Sequence, residues 1–348
     1  MRGRSGAQDL KTIRVMRKYN ILTTWKFTNR LPDKINVDYY EIDRGSFWGY
    51  VVSLFKLLIK MRKYDAFLVA NPTFDTIFVC FLSKFIPYNK TLNVAFDILL
   101  MRPETVKQKV LAWVEQVLFF GFDKFFCNHK DTTGYEKYYG INKEKFYYVP
   151  FKANNYSMLS NFMIRDEGYV LASGASYRDY ETFLKALTKL GYPTKIVLPA
   201  GNVAKYHQTV LDEKLCPENV SVIRHDFNMQ TWNEYIANAR MVVIPRKRGT
   251  LQSAGISVYF EAMALGKPVV ITEGVATRGI LTKEVAEIVP VADFEALASA
   301  IEGLWENKEY RDRLAKNGKQ FALSLEGAER MVKDLLMGIY FFLEQSSA

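Results

Sequence analysis

Residues 245–274 read PRKRGTLQSAGISVYFEAMALGKPVVITEG, directly after the apolar run Met241-Val242-Val243-Ile244. A basic, glycine-containing loop leads into a helical stretch over residues 256–265, which stops at Gly266, and a second apolar run restarts at Pro268. A buried strand, a crossover helix and another buried strand in so short a span make a parallel βαβ unit. Open parallel sheets take ligands at the carboxyl ends of their strands, so the loop before Ile256 lies at a binding crevice. At Ser253-Ala254-Gly255-Ile256-Ser257 the small residues let backbone approach a ligand closely, and the free amides of the helix start favour an anion such as a diphosphate. Glu261 follows Ser257 by four residues and shares its helical face, where a carboxylate is placed to accept two vicinal hydroxyls, as a ribose offers. Arg246, Lys247 and Arg248 bring positive charge to the same loop, with a merely solvated charge run as the alternative.

The rhythm of this unit runs through the whole chain. In the first half, β-rich runs at residues 20–25, 35–42, 65–70, 91–96, 124–128 and 146–149 alternate with helix-period stretches, of which 48–63 and 104–120 are amphipathic. Residues 150–167 lose the rhythm, are rich in Asn and Ser, and read as a linker. Strands at 169–173, 195–198, 220–223, 241–244, 268–272 and 287–289 then alternate with helices near 180–190, 231–239, 256–265 and 294–305. Two helical segments, 308–323 and 327–343, close the chain. The fold class expected is α/β, with two Rossmann-like doubly wound parallel-sheet domains: residues 1–150, a linker at 151–167, residues 168–325, and a C-terminal helix at 326–348 that is free to cross back to the first domain.

The run SAGISVYFEAMALGKPVV resembles the retaining GT-B glycosyltransferases of family 4 and their relatives. The resemblance covers residues 169–321 well and the first half only in rhythm. It implies an enzyme of the GT-B architecture whose second domain holds a sugar-nucleotide donor. Of the two glutamates that flank the donor in that family, the second matches Glu261, which would bind the nucleotide ribose, and the first falls on Ser253. The departure at Ser253 leaves retention or inversion of configuration open. In the first turn of the second domain, Ala172-Ser173-Gly174-Ala175-Ser176-Tyr177-Arg178-Asp179-Tyr180, the resemblance makes Gly174 and Arg178 face the diphosphate, and Asp179 reads on its own account as a helix N-cap. The loop at 224–228 corresponds to the region that receives the base. The donor-binding set is thus Gly174, Arg178, Arg246, Lys247, Ser253, Gly255, Ile256, Ser257 and Glu261. A sugar-nucleotide epimerase and a non-catalytic sugar-nucleotide-binding module are the competing readings.

Composition sets the remaining bounds. The 348 residues exceed what one hydrophobic core usually spans. Of the formal net charge of +10, all falls in the first half: residues 1–150 hold 24 Lys+Arg against 14 Asp+Glu, and the remainder 23 against 23. That asymmetry points the first domain at something anionic, a membrane surface or a phosphorylated or lipid-linked saccharide acceptor, with a basic solubilising surface as the alternative. Nucleic acid ranks last, because the aromatics of the basic half fall in strand and helix patterns and no recognition motif is present. Cys80, Cys127 and Cys216 suggest neither a disulfide framework nor a zinc site and fit a reducing cytosol. The longest apolar run, residues 76–83, is too short to span a bilayer and no signal-type apolar region follows the basic start, so a cytoplasmic protein, peripheral at the inner face of the membrane, is expected. No Asp-x-Asp triplet occurs, so no metal and no cofactor is expected, and helix amides with Arg or Lys meet the charge of the leaving diphosphate. The catalytic base is sought at strand carboxyl ends of the first domain, where Asp97 is the first candidate and His129 the second.

Overall fold

The computed structural model describes residues 18–27, 32–154, 156–201, 203, 207–225 and 228–347. The first sheet contains β1 (Tyr19–Thr23), β2 (Ile35–Tyr39), β3 (Ala66–Ala70), β4 (Leu92–Phe96), β5 (Lys124–Cys127) and β6 (Phe146–Tyr148), in the order β2-β1-β3-β4-β5-β6. The second contains β7 (Val170–Ser173), β8 (Thr194–Pro199), β9 (Val220–His225), β10 (Met241–Ile244), β11 (Val269–Thr272) and β12 (Glu287–Val289), in the order β12-β11-β10-β7-β8-β9. Every pairing is parallel, with β10 between β7 and β11. Two Rossmann-like sheets were expected from the alternation of the sequence, and both are present.

Alternate residues of each strand serve opposite layers, as the pleat requires. In the first sheet Leu22, Phe67, Val69, Ala95 and Phe125 face α1 (Phe47–Met61), α2 (Phe74–Ser83), α3 (Val106–Leu118) and α4 (Thr133–Tyr139). Ile21, Ala66, Leu68, Val94 and Phe126 point the other way, onto Met331, Leu335, Leu336 and Ile339 of the C-terminal helix, Ala328–Ser347. The second face of this sheet is thus closed by the last helix of the chain, which crosses back to the first domain as the sequence left it free to do. In the second sheet Leu171, Val242, Ile244 and Ile271 pack under α6 (Met229–Asn238) and α7 (Ile256–Ala264), while Val170, Ala172, Met241 and Val243 pack under α5 (Tyr180–Leu190) and α8 (Phe294–Glu306). Lys308–Ser324 forms α9, and the C-terminal helix is α10. Residues 76–83 lie within α2, and among the described residues no helix is long and apolar enough to cross a membrane.

Candidate functional site

In the second sheet the chain winds from β7 through β8 to β9, then returns to lay β10 on the other side of β7. The carboxyl ends of β7 and β10 therefore flank the switch point, where the two crossover directions leave a crevice. Both ends carry an arginine. Asp179 N–H donates to the Pro245 carbonyl at 3.0 Å and Lys247 N–H to the Tyr177 carbonyl at 2.9 Å, which clamps Arg178 against Arg246 as an antiparallel pair. Tyr177 takes a left-handed φ of 54° to make that turn, a conformation non-glycine residues adopt rarely.

Arg178 is 2% exposed and Arg246 1% exposed. Arg178 Nε donates to the Ser173 carbonyl at 3.0 Å and Nη1 to the Ser176 carbonyl at 2.6 Å. Arg246 Nη2 donates to the Gln252 carbonyl at 3.1 Å, whereas its Nε and Nη1 are buried without a partner. Among the described residues neither guanidinium has a carboxylate partner at ion-pair distance. Burial holds the Arg178 pKa below the usual arginine range, and burial, followed by the like charge of Arg178, lowers that of Arg246 to about 10. Buried charges are normally paired, so two adjacent cations, of which Arg246 has unused donors, have the chemistry to receive an anion.

The other expected donor residues gather around this pair to different degrees. Gly255 caps α7 at φ 94° and offers no side-chain cap, so the start of the helix, from Ser257 onward, has no side-chain acceptor. A Cβ on Gly255 would fall 2.9 Å from Ile244 Cγ2, and one on Gly274 would fall 2.6 Å from Arg246 Nη1. Lys247 lines the adjoining cavities. The Ser253 carbonyl accepts from Ile256 N–H at 3.1 Å, so backbone of Ser253 shapes the turn. Glu261 is buried in the helix, 3% exposed. Trp232 Nε1 of α6 donates to its Oε2 at 3.0 Å, Asn154 of the linker also bonds it, and burial raises its pKa despite these partners and the nearby Lys152. Of the loop at 224–228, residues 226 and 227 lie outside the described residues.

The two base candidates sit differently. Asp97 follows β4 in a left-handed turn, φ 54°, and burial raises its pKa; the groups that feel its charge, Cys127 and Tyr135, belong to its own domain. His129 follows β5, is buried, and has Nδ1 3.0 Å from the Asp131 carbonyl. A carbonyl only accepts, so Nδ1 carries the proton and the neutral ring keeps its lone pair on Nε2. Burial pulls its pKa down to about 4, and the Arg246 guanidinium across the domain boundary contributes in the same direction. Sequence reasoning missed the residues that join the domains here. Arg278 Nη1 donates to Asp131 Oδ2 at 3.0 Å, and Leu251 of the Arg246 loop is buried in the core of the first domain. The cavity beneath them, about 350 Å³, is lined by Arg102, Asp131, Arg246, Lys247 and Arg278.

Two parallel sheets joined across a cleft, with a cationic switch point in the second, make the GT-B architecture. Residues 167–321, the second domain, match the family model of the glycosyl transferases group 1. No curated protein matches the chain. Among solved structures, a glycosyltransferase from Rickettsia africae is 11% identical, with 94% of this chain and 98% of that one covered and a TM-score of 0.62. Anabaena Alr3699/HepE in complex with UDP is 15% identical over 93% of this chain and 99% of that one, TM-score 0.63. Sucrose-phosphate synthase from Thermosynechococcus elongatus is 14% identical over 95% and 88%, TM-score 0.61. At such identities the likeness is one of fold.

Proposed function

We propose that the protein transfers a sugar from a nucleoside diphosphate sugar to a saccharide or lipid-linked acceptor, without a divalent metal, at the cytoplasmic face of the membrane. The observation that carries this reading is the buried Arg178–Arg246 pair without a carboxylate, beside the uncapped start of α7. A diphosphate there accepts from Arg246 Nε and Nη1 and from the α7 amides, and the negative charge that grows on it as the sugar leaves is met by fixed cations rather than by a metal ion. Glu261 takes the ribose hydroxyls. The Anabaena protein was solved with UDP and with UDP-glucose, which supports a sugar-nucleotide donor.

In the transfer the acceptor hydroxyl oxygen bonds to the anomeric carbon, the bond from that carbon to the diphosphate oxygen breaks, and the acceptor proton passes to a base. His129 Nε2, unprotonated at neutral pH and beside Arg246, fits that role better than Asp97, whose neighbours lie on its own side. Calorimetric titration of nucleoside diphosphates in EDTA tests the donor site. Arg246→Gln is expected to lower diphosphate affinity roughly 10- to 100-fold, the weight of one or two charge-assisted hydrogen bonds, while affinity for the nucleoside alone stays within about twofold. Equal losses for both ligands would make Arg246 structural, and turnover abolished by EDTA would overturn metal independence.

A further inference from the structure

Helices α1, α2 and α3 cover one face of the first sheet with their inner residues and carry a second apolar face outward. On α1, Leu57 and Met61 are buried, while Trp48, Val52, Phe55 and Ile59, spaced at helical intervals, are exposed, Trp48 by 74%. On α2 the rings of Phe74 and Phe78 stack in the open with centroids 6.3 Å apart. On α3 only Ala112 and Leu118 are buried, and Val106, Val110, Trp113 and Val117 form an outward stripe, with Trp113 65% exposed. Surface helices of water-bound proteins turn such stripes inward. Contiguous apolar patches of this extent mark an interaction surface. Lys56, Arg62, Lys63, Lys107 and Lys109 are exposed around the patch, and α1 contains no acidic residue. Exposed aromatics rimmed by lysines and arginines match the interface of a bilayer with anionic head groups.

A trough leads from this face to the cleft. Its outer cavity, between α2 and α3, is lined by Phe74, Ile77, Leu99 and Leu100. The next shares Leu99 and Leu100 and adds Met101 and Leu111. The innermost shares Met101 and reaches Arg102, Tyr177, Lys247 and Arg248. Glu115 lines both outer cavities and Glu104 the innermost, so the wall is mostly hydrocarbon at the helix face, while at the cleft Arg102, Lys247 and Arg248 outnumber the one carboxylate, the polarity of a lipid with an anionic head.

We infer that α1–α3 seat on an anionic bilayer and that the acceptor is an amphiphile taken from it, its chain in the α2–α3 trough and its phosphate-bearing head at Arg102 and Lys247. This deepens the transferase reading and rests on it for the word acceptor; the donor site lies in the other domain, so each can fail alone. Vesicle co-sedimentation with phosphatidylcholine, with and without phosphatidylglycerol, reads the docking. Partition is expected only with the anionic lipid, to weaken with salt, and to fall at least tenfold in the triple variant Trp48→Ser, Phe55→Ser, Trp113→Ser, whose exposed positions leave the fold and the nucleoside diphosphate affinity unchanged. Brominated phosphatidylcholine in the anionic vesicles should quench Trp48 and Trp113, and the quenching should vanish in Trp48→Phe, Trp113→Phe. Equal partition of the triple variant overturns the docking, and so does a dimer, seen by analytical ultracentrifugation without vesicle binding, that the triple variant dissociates. For the trough, octyl phosphate below its micellar concentration should bind at least tenfold tighter than inorganic phosphate, with the gain lost in Leu99→Glu. Equal affinities, or a gain that survives Leu99→Glu, reject it.

Discussion

A Cβ placed on Gly174 would lie 2.1 Å from Arg178 Nη2, and the backbone there has φ 111°, where L side chains rarely go. The glycine expected from sequence to admit a ligand thus also makes room for the Arg178 guanidinium. Gly174→Ala should cost about 1 to 3 kcal/mol of stability, by strain and by displacing Arg178, and should weaken diphosphate binding as well. Urea unfolding with a parallel titration checks both, and a variant as stable as wild type would place Arg178 elsewhere. His129 carries a second prediction of this scale. Its pKa falls from the ordinary 6.5 to about 4 on folding because burial disfavours the imidazolium. The unfolded chain then binds more protons between those values, so stability is fully present above pH 6.5 and is lost as pH falls toward 4, by on the order of 3 kcal/mol. Melting profiles of His129→Gln across that window should be flatter than wild type, and parallel profiles would show that the loss has another source.

At the scale of the element, α10 packs on the first sheet, far in sequence from the domain that precedes it. Leu335, Leu336 and Ile339 are fully buried against β1, β3 and β4, about 240 to 320 residues earlier in the chain, and Tyr19 Oη donates to Glu344 at 2.8 Å. Leu336→Ala should therefore destabilise the first domain by about 2 to 5 kcal/mol, although it lies beyond the second. Hydrogen exchange resolved by segment should show the loss in β1, β3 and β4, and exchange that rises only in α10 would contradict this packing. What could be read from the sequence follows from what is local. Strand and helix periods are local, so the twelve strands appear within a residue or three of where the patterns put them. The place of Gly174, Arg178 and the loop into α7 at the ends of β7 and β10 could be read because strand ends are local too. The outward stripes of α1 and α3 were not, because a period of 3.6 shows that a helix has an apolar face and not which way it turns. Nor was the lack of a carboxylate beside Arg246 among the described residues, since an absent partner is a property of the folded neighbourhood alone.

For the whole molecule the decisive contact is Leu251. It belongs to the loop that begins at Arg246 and ends at Gly255, yet its side chain sits in the first domain's core, where a Cβ on Gly134 would meet its Cδ2 at 2.4 Å. The same loop brings Gly249 against Arg102, and Arg278 reaches over to Asp131 at 3.0 Å. Arg278 is half exposed, so this ion pair adds little by itself and serves mainly to fix register. Leu251 is the stronger tie, since it moves apolar surface out of water and cannot leave without opening a hole in the other domain. A loop that carries Arg246 at one end and is anchored in the first domain at its middle couples anything bound at Arg246 to the relative position of the domains. Leu251→Ser should loosen that coupling: the radius of gyration in X-ray scattering should increase, and sugar transfer should fall at least tenfold, a rough figure for misplacing reactants that must meet within about 3.5 Å. Nucleoside diphosphate affinity should change less than about threefold, because Arg178, Arg246 and the α7 amides stay within one domain. Scattering and transfer both at wild-type values would leave Leu251 as packing alone, whereas a collapse of diphosphate affinity would mean that the first domain holds the arginine pair in shape.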